Sequence, residues 1–352
     1  MDIAVGLSGG VDSSVAALLL KEQGHRVIGI TMKLWDGRYK GGSRAACFGA
    51  GEEKSIAMAE AFAKAIGIEY HVYDCSKDYD KTVISYFRDT YLSGKTPNPC
   101  VRCNALVKFG LLPKLAADSG LSFDKFATGH YARIAHCPNG RLALQRAIDE
   151  GKDQSYFLYR LTQEQLKNII FPMGSLTKAE ARDIAKKHGL ITADRPDSQD
   201  FYSGDVSELI GEPERPGNIV NTEGKILGRH TGFWRYTIGQ RKGLGIGGAG
   251  EPYYVVDLNA CRNEVIVGRH NEAIKQTFEI EDIAYMAASG EEAANRKIPC
   301  NVKIRSVGTP KGPALYEDGR CTIPDGIAGV APGQSAVFYD ENGLILLGGI
   351  IK

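Results

Sequence analysis

Two short strings hold the residues best suited to chemistry. The first is Gly6-Leu7-Ser8-Gly9-Gly10-Val11-Asp12-Ser13. Its glycines let the backbone turn sharply and present bare N–H groups to a ligand. A helix starting behind such a turn adds partial positive charge, so the string reads as a phosphate cradle. No lysine follows in the G-x-x-x-x-G-K-[ST] frame, and Gly6, Gly9 and Gly10 miss the G-x-G-x-x-G spacing. A glycine turn without a ligand is the plain alternative; Ser8, Asp12 and Ser13 in frame argue against it. The second string is Thr96-Pro97-Asn98-Pro99-Cys100-Val101-Arg102-Cys103-Asn104. Its C-x-x-C suits a redox pair, half a zinc site, or two ligands of an iron–sulfur cluster. No second C-x-x-C completes a zinc tetrad. Two buried thiols are the plain alternative.

The elements that must position these strings follow from periodicity. Ile3-Ala4-Val5 is an apolar run that predicts a buried strand, and Val15 to Leu20 predicts a helix. Further strands are expected at Arg26–Met32, Glu69–Tyr73 and Phe123–Thr128. Helices are expected at Glu52–Ile66, closed by Gly67, and at Lys81–Leu92 and Asn104–Asp118. Gly94 to Cys103 reads as a loop feeding the last of these, which puts Cys103 near a helix N-terminus where the dipole favours thiolate. Lys33 to Gly51 is a polar loop containing Cys47. This alternation predicts an α/β fold with a doubly wound parallel sheet and ligands at the strand C-terminal ends.

The second half differs. Short helical patterns at Gln163–Asn168 and Thr177–Lys187 precede a loop, Arg195-Pro196-Asp197-Ser198-Gln199. Beyond it, Tyr253–Asp257 and Glu264–Gly268 read as a hairpin. Alternating segments such as Asn301–Arg305 and Ser335–Tyr339 read as a small C-terminal β-barrel. The expected domains are residues 1–200, 201–272 and 273–352.

Composition sets the bounds. The 352 residues carry 43 Lys+Arg against 42 Asp+Glu, a formal net charge of +1, so a nucleic-acid partner must be met by a local basic surface. No apolar run is long enough to span a membrane. The start lacks the marks of a signal peptide, so a cytoplasmic location is expected, with the 8 cysteines as thiols, ligands or catalysts.

Two weaker strings complete the set. Ala127-Thr128-Gly129-His130-Tyr131 puts a glycine and a histidine after a strand; a satisfied histidine is the commoner outcome. Lys152-Asp153-Gln154-Ser155-Tyr156-Phe157 leads polar groups into an apolar segment; a simple helix start is the plain alternative.

The Ser-Gly-Gly-x-Asp-Ser loop resembles that of the ATP pyrophosphatase (PP-loop) superfamily. With the other strings, and with Tyr236-Thr237-Ile238-Gly239-Gln240-Arg241-Lys242-Gly243-Leu244-Gly245 and Pro332-Gly333-Gln334-Ser335-Ala336-Val337, the chain is similar to the tRNA-uridine 2-sulfurtransferases over nearly its whole length. The resemblance implies an adenine-nucleotide hydrolase-like sheet domain, a small central domain and a C-terminal β-barrel. It implies ATP at Gly6, Leu7, Ser8, Gly9, Gly10, Val11, Asp12 and Ser13, with Met32 and Gly129 beside the nucleoside, and Mg2+ on the phosphates organised by Asp12. A wobble-uridine O2 would attack the α-phosphate, and sulfur would then displace AMP at C2. Cys103 matches the nucleophile; Asn98, Pro99 and Cys100 line the target base. His130, Lys152, Asp153, Gln154, Arg305, Ser306 and Gln334 match tRNA-contacting positions. The remaining partner is a sulfur donor, either a persulfide carrier protein or hydrosulfide.

One position departs from the pattern. Tyr202, in Asp197-Ser198-Gln199-Asp200-Phe201-Tyr202, stands where many relatives carry a second, persulfide-bearing cysteine. A phenol cannot hold persulfide sulfur. Either Cys100 partners Cys103 in a thiol relay, or Cys47, Cys100 and Cys103 hold a [4Fe-4S] cluster with one open iron; the cluster is slightly favoured. Two other functions stay open: a PP-loop enzyme adenylating a small metabolite, which needs neither C-x-x-C nor barrel, and a paralogue that binds tRNA or ATP without sulfur transfer, which Tyr202 favours.

Overall fold

Ile3, Ala4 and Val5 have no exposed surface because their strand lies at the centre of a five-stranded parallel sheet. The computed structural model describes residues 1–39, 41, 46–193, 200–247, 250–294 and 296–352. The chain divides into two units. The first comprises Met1–Ile84, Pro99–Asp205 and Asn342–Ile345; the second comprises Ser85–Asn98, Val206–Glu341 and Leu346–Lys352.

In the first unit the strands run Glu69–Asp74, Arg26–Lys33, Asp2–Gly6, Lys125–Thr128, Ile169–Ile170 across the sheet. Every pairing is parallel. The central strand pairs with Arg26–Lys33 on one side and Lys125–Thr128 on the other, so the strand order reverses at Gly6. Gly6 faces Ile30 on one neighbour and Thr128 on the other. The expected ligand loop therefore leaves the sheet at a topological switch point, where doubly wound folds bind ligands. Helices Val11–Glu22 and Glu52–Ile66 join the strands in one core with Val5, Val15, Phe62 and Ala127.

Two expectations about this unit are corrected. The helix expected from Asn104 starts at Pro99, so Cys100 and Cys103 lie within helix rather than loop. Pro99 suits a first helical position because its missing N–H would have no partner there anyway. Asn104–Leu111 is wound as a π-helix before regular α-helix resumes at Leu112–Asp118. The helix expected behind Gln154 is a single 3-10 turn, Ser155–Phe157. The loop Arg195-Pro196-Asp197-Ser198-Gln199 lies outside the described residues.

In the second unit a four-stranded sheet runs Ile226–His230, Gly217–Asn221, Glu264–Gly268, Tyr254–Asn259. The last two form the expected hairpin. Beyond it six strands, from Ile274–Tyr285 to Ile345–Ile351, close into a barrel around Val302, Ile323, Phe338 and Leu347. Closure leaves no unpaired strand edge. The fold is thus α/β with a parallel sheet, a small middle domain and a closed β-barrel. Among the described residues no helix is long and apolar enough to cross a membrane.

Candidate active site

The phosphate-type loop is built by its own side chains. Gly9 takes a left-handed φ of 70°, which glycine adopts without strain, and Gly10 is the extended N-cap of helix Val11–Glu22. No side chain caps that helix, so its first-turn N–H groups remain for a ligand. Ser13 donates its hydroxyl to the Gly10 carbonyl at 3.1 Å and accepts the Ser8 N–H at 3.2 Å, fixing the turn. Leu7 and Val11 are buried, so only their backbone can face a nucleotide. Gly129 packs against the start of this helix: a Cβ there would lie 2.5 Å from the Ser13 nitrogen. Met32 is half-buried at the end of its strand.

Asp12 is already engaged. Lys178 Nζ lies 2.7 and 2.8 Å from its two carboxylate oxygens, and the Tyr131 hydroxyl donates to Oδ1 at 2.9 Å. Both oxygens thus have protein partners, while the side chain stays 28% exposed and keeps acceptor capacity for a cation. Sequence reasoning missed Lys178. Its signal was Thr177 and Glu180 in capping-box spacing, which marks Lys178 as the first residue of a helix, where a cation opposes the dipole.

Cys100 and Cys103 are half-buried and Cys47 is exposed. The expectation that Cys103 favours thiolate fails: the helix starts at Pro99, so Cys103 is not at its N-terminus, and burial pushes the thiol up to about 11. Lys108 opposes that rise, and Cys47 adds to it. Burial and Lys108 also hold His130 well below the ordinary histidine range, so at neutral pH it is uncharged, with Nδ1 2.7 Å from the Thr128 hydroxyl. It offers hydrogen bonds rather than charge to a phosphate.

Cys47 sits on a short strand, Ala46–Phe48, paired in parallel with Asp200–Tyr202. Tyr202 is buried there; its hydroxyl accepts the Gly41 N–H at 3.1 Å, and its ring packs 6.1 Å from that of Phe48. The phenol at the departing position therefore fills an aromatic cluster. Among the described residues no three His, Cys, Asp or Glu side chains gather as metal ligands. Cys47, Cys100 and Cys103 do not form a ready cluster site.

A second buried acid lies behind this region. Glu52 accepts the Leu34 N–H at 2.7 Å and the Trp35 N–H at 2.9 Å, and burial raises its pKa to about 7. It fastens the chain where the loop toward Cys47 begins.

The expected tRNA-contacting string divides. The Asp153 side chain has no exposed surface; it accepts from the Ala147 N–H, the Ser155 N–H and the Ser155 hydroxyl, with Arg146 Nε 3.5 Å away. The carboxylate is an internal fastening and is not presented to solvent. Gln154 accepts the Tyr131 N–H at 2.9 Å, and Lys152 is partly exposed. In the second unit Asn98 is buried, its amide 3.3 Å from the Ser335 hydroxyl, and Gln334 donates to the Pro97 carbonyl at 2.8 Å. Arg305 and Ser306 are exposed, although the Arg305 guanidinium also bonds the Ile238 carbonyl.

Comparison with known proteins agrees with this architecture. Residues 1–202 match the family model described as tRNA methyl transferase HUP domain. Residues 208–269 match the tRNA methyl transferase PRC-barrel domain, and 275–351 the Aminomethyltransferase beta-barrel domain. The tRNA-specific 2-thiouridylase MnmA of Endomicrobium trichonymphae is 43% identical over 360 residues, covering 100% of this chain and 99% of that one. The protein of the same name from Pelobacter propionicus is 42% identical, covering 97% and 95%. Among solved structures, a 4-thiouridine synthetase–RNA complex with bound ATP aligns with a TM-score of 0.35 at 16% identity, over 60% of this chain and 46% of that one. Matched from end to end by such relatives, with a phosphate-type loop at the switch point of its sheet, the chain belongs to the tRNA-specific 2-thiouridylase family.

Proposed function

We propose that this chain replaces the O2 of a tRNA uridine by sulfur, in two steps. The observation that carries this reading is the match to 2-thiouridylases over the whole chain, loop and C-x-x-C included. In the first step the uridine O2 attacks the α-phosphate of ATP. The bond to the β-phosphate breaks, and pyrophosphate leaves with the bonding pair. Gly6–Ser13 hold the phosphates through backbone N–H groups and the helix dipole. Met32 and Gly129 border the nucleoside. Magnesium, when bound, would neutralise phosphate charge, with the partly exposed Asp12 carboxylate beside the loop to help hold it.

In the second step a sulfur nucleophile attacks C2 and AMP leaves, so adenylation has turned a carbonyl oxygen into a leaving group. Cys103 delivers the sulfur, with Cys100 beside it on the same helix. A protonated thiol is a poor nucleophile, so Cys103 acts as its thiolate, which Lys108 favours. With a persulfide carrier as donor, that thiolate takes the outer sulfur by exchange and the carrier's thiol leaves; the Cys103 persulfide attacks C2 and expels AMP, and Cys100 then attacks the Cys103 sulfur, releasing 2-thiouridine and leaving a Cys100–Cys103 disulfide that an external thiol reduces. With hydrosulfide as donor, hydrosulfide attacks C2 directly and AMP leaves, with no persulfide formed. Asn98, Pro99 and Cys100 approach the target base, and His130 contributes neutral hydrogen bonds. Lys152, Gln154, Arg305, Ser306 and Gln334 meet the rest of the tRNA, where phosphate contacts make binding weaken steeply with salt.

The decisive experiment supplies ATP, a sulfur donor and unmodified tRNA, then measures 2-thiouridine, AMP and pyrophosphate. All three products, each dependent on tRNA, are expected. AMP formed without tRNA would instead identify an enzyme that adenylates a small metabolite. Tyr202 favours one alternative, a protein that binds tRNA or ATP without sulfur transfer; tRNA binding with none of the three products would establish it. Anaerobic purification tests the [4Fe-4S] reading: thiolation by a preparation free of iron and sulfide sinks it.

A further inference from the structure

We propose that the Tyr79 hydroxyl donates a hydrogen bond to the sulfur on Cys103, holding in place the thiolate and the persulfide formed from it. The inference rests on reading Cys103 as the sulfur-bearing thiol. Tyr79 is only 1% exposed, yet its hydroxyl has no hydrogen-bond partner among the described residues. A buried polar group left unpaired costs stability, and such a group calls for a partner that arrives from outside the fold.

Tyr79 is fixed from three sides. The Cys75 N–H donates to the Lys33 carbonyl and the Tyr79 N–H to the Cys75 carbonyl, both at 2.8 Å, which ties the turn Ser76–Tyr79 to the end of strand Arg26–Lys33. The Tyr79 ring packs 5.2 Å from that of Phe48, the residue after Cys47. The chain continues as Asp80–Ile84, where the Thr82 carbonyl accepts Arg102 Nε at 2.6 Å, from the helix carrying Cys100 and Cys103. Tyr79 is thus wedged between the strand of Cys47 and the helix of the C-x-x-C. Burial raises its phenol well above the ordinary tyrosine range, and Cys103, Cys100, Cys47 and Glu52 add to the rise in that order. The hydroxyl therefore lies within electrostatic reach of all three sulfurs and stays protonated, a donor rather than a base.

Packing alone does not call for that oxygen. Phe48 and Phe201 stack in the same aromatic cluster as plain rings, 6.2 Å apart. A phenylalanine at position 79 would fill its place without an unpaired oxygen. A sulfur anion, by contrast, accepts hydrogen bonds, and a bond to an ionised partner in a buried site is among the stronger ones. When the Cys103 thiolate takes the outer sulfur, the carrier's thiol leaves and the negative charge passes to that outer sulfur. It is spent when the sulfur attacks C2 and AMP departs. Through these steps Tyr79 keeps its proton and makes no covalent bond. Lys108 supplies positive charge to the thiolate, and Tyr79 supplies a directed bond.

The test compares the full chain with Tyr79→Phe, which keeps the ring, and with fluorotyrosine incorporated at position 79, whose phenol is the stronger donor. Alkylation of Cys103 by iodoacetamide at pH 8 is followed by mass spectrometry, with the exposed Cys261 as internal reference. Thiolation, pyrophosphate release and thermal unfolding are measured alongside. Tyr79→Phe is expected to slow Cys103 alkylation at least threefold and thiolation tenfold or more. Cys261 alkylation, pyrophosphate release and the KM for tRNA should stay within twofold. Fluorotyrosine is expected to speed Cys103 alkylation, and it serves if Tyr79→Phe does not fold. Unchanged Cys103 alkylation and thiolation overturn the proposal. Equal falls in thiolation and pyrophosphate release mark a structural role and overturn it too. If Cys103→Ser leaves thiolation intact, the reading of Cys103 itself fails, and this inference with it.

Discussion

The Gly6–Ser13 loop and the helix carrying Cys100 and Cys103 lie in the same unit and are prepared in opposite ways. At the loop, charged groups are assembled beforehand: Asp12, Lys178 and Tyr131 form one bonded set at an uncapped helix start. Around Cys103, charge is withheld. Burial keeps Cys103 a thiol with its pKa at about 11 and His130 neutral, with Lys108 the cation that acts on both. Under the proposed two-step reaction the difference has a use: charged groups would stand ready for a triphosphate, and a reactive sulfur would stay protonated until an adenylate is present.

The sharpest break in this comparison is Cys103→Ser. It is expected to abolish thiolation, by at least about 1000-fold, while ATP cleavage continues. Measuring 2-thiouridine and pyrophosphate in one reaction checks it; loss of both would mean that the two regions are not separable.

Gly129→Ala attacks the opposite side. A Cβ there would press on the Ser13 nitrogen at 2.5 Å, backbone that cannot yield cheaply. The expected outcome is loss of ATP binding with destabilisation of about 1–3 kcal/mol. Calorimetric titration and thermal unfolding decide it, and unchanged ATP affinity would count against Gly129 as a nucleotide neighbour.

Glu52 offers a test by pH. Its folded pKa of about 7 lies above its ordinary value of 4.5. As pH rises through that window the unfolded chain gives up its proton before the folded one, so stability falls, by about 3 kcal/mol for a shift of this size. Glu52→Gln has no such proton to lose and should lack that fall. Denaturant unfolding at pH 5 and pH 8 compares the two proteins; identical pH slopes would rule out a perturbed Glu52.

The smallest effect is expected from Lys108→Met. Removing the cation should slow alkylation of Cys103 by iodoacetamide severalfold at pH 8, since less thiolate forms. An unchanged rate, followed by mass spectrometry of the Cys103 peptide, would place Lys108 too far away to matter.

The legible parts of the protein were those specified by local rules. The glycine loop, the apolar strand before it and helix Glu52–Ile66 with its left-handed Gly67 cap carry their own signals, and the structure places them as the spacing predicts. The hairpin ending at Gly268 and the closed barrel were equally readable from alternation. Where the structure departs from the sequence reading, packing intervened. Asp153 looks like a surface acid in a polar string, but the neighbouring turn folds Arg146 and donors of Ala147 and Ser155 around its carboxylate. Cys103 was expected at a helix start, but the helix begins at Pro99 and packing around the thiol removes the water that a thiolate needs.

Taken by itself, then, the sequence determined the order of elements, the glycine loop and the family, because periodicity, glycine geometry and residue spacing act within a few positions along the chain. The tertiary structure alone decided which groups are charged and which are partnered. Asp12 and Lys178 stand 166 residues apart and meet at 2.7 Å only after the sheet and its helices have packed. Burial, which sets the cost of every charge, is a property of the folded core and cannot be read from any one stretch of chain.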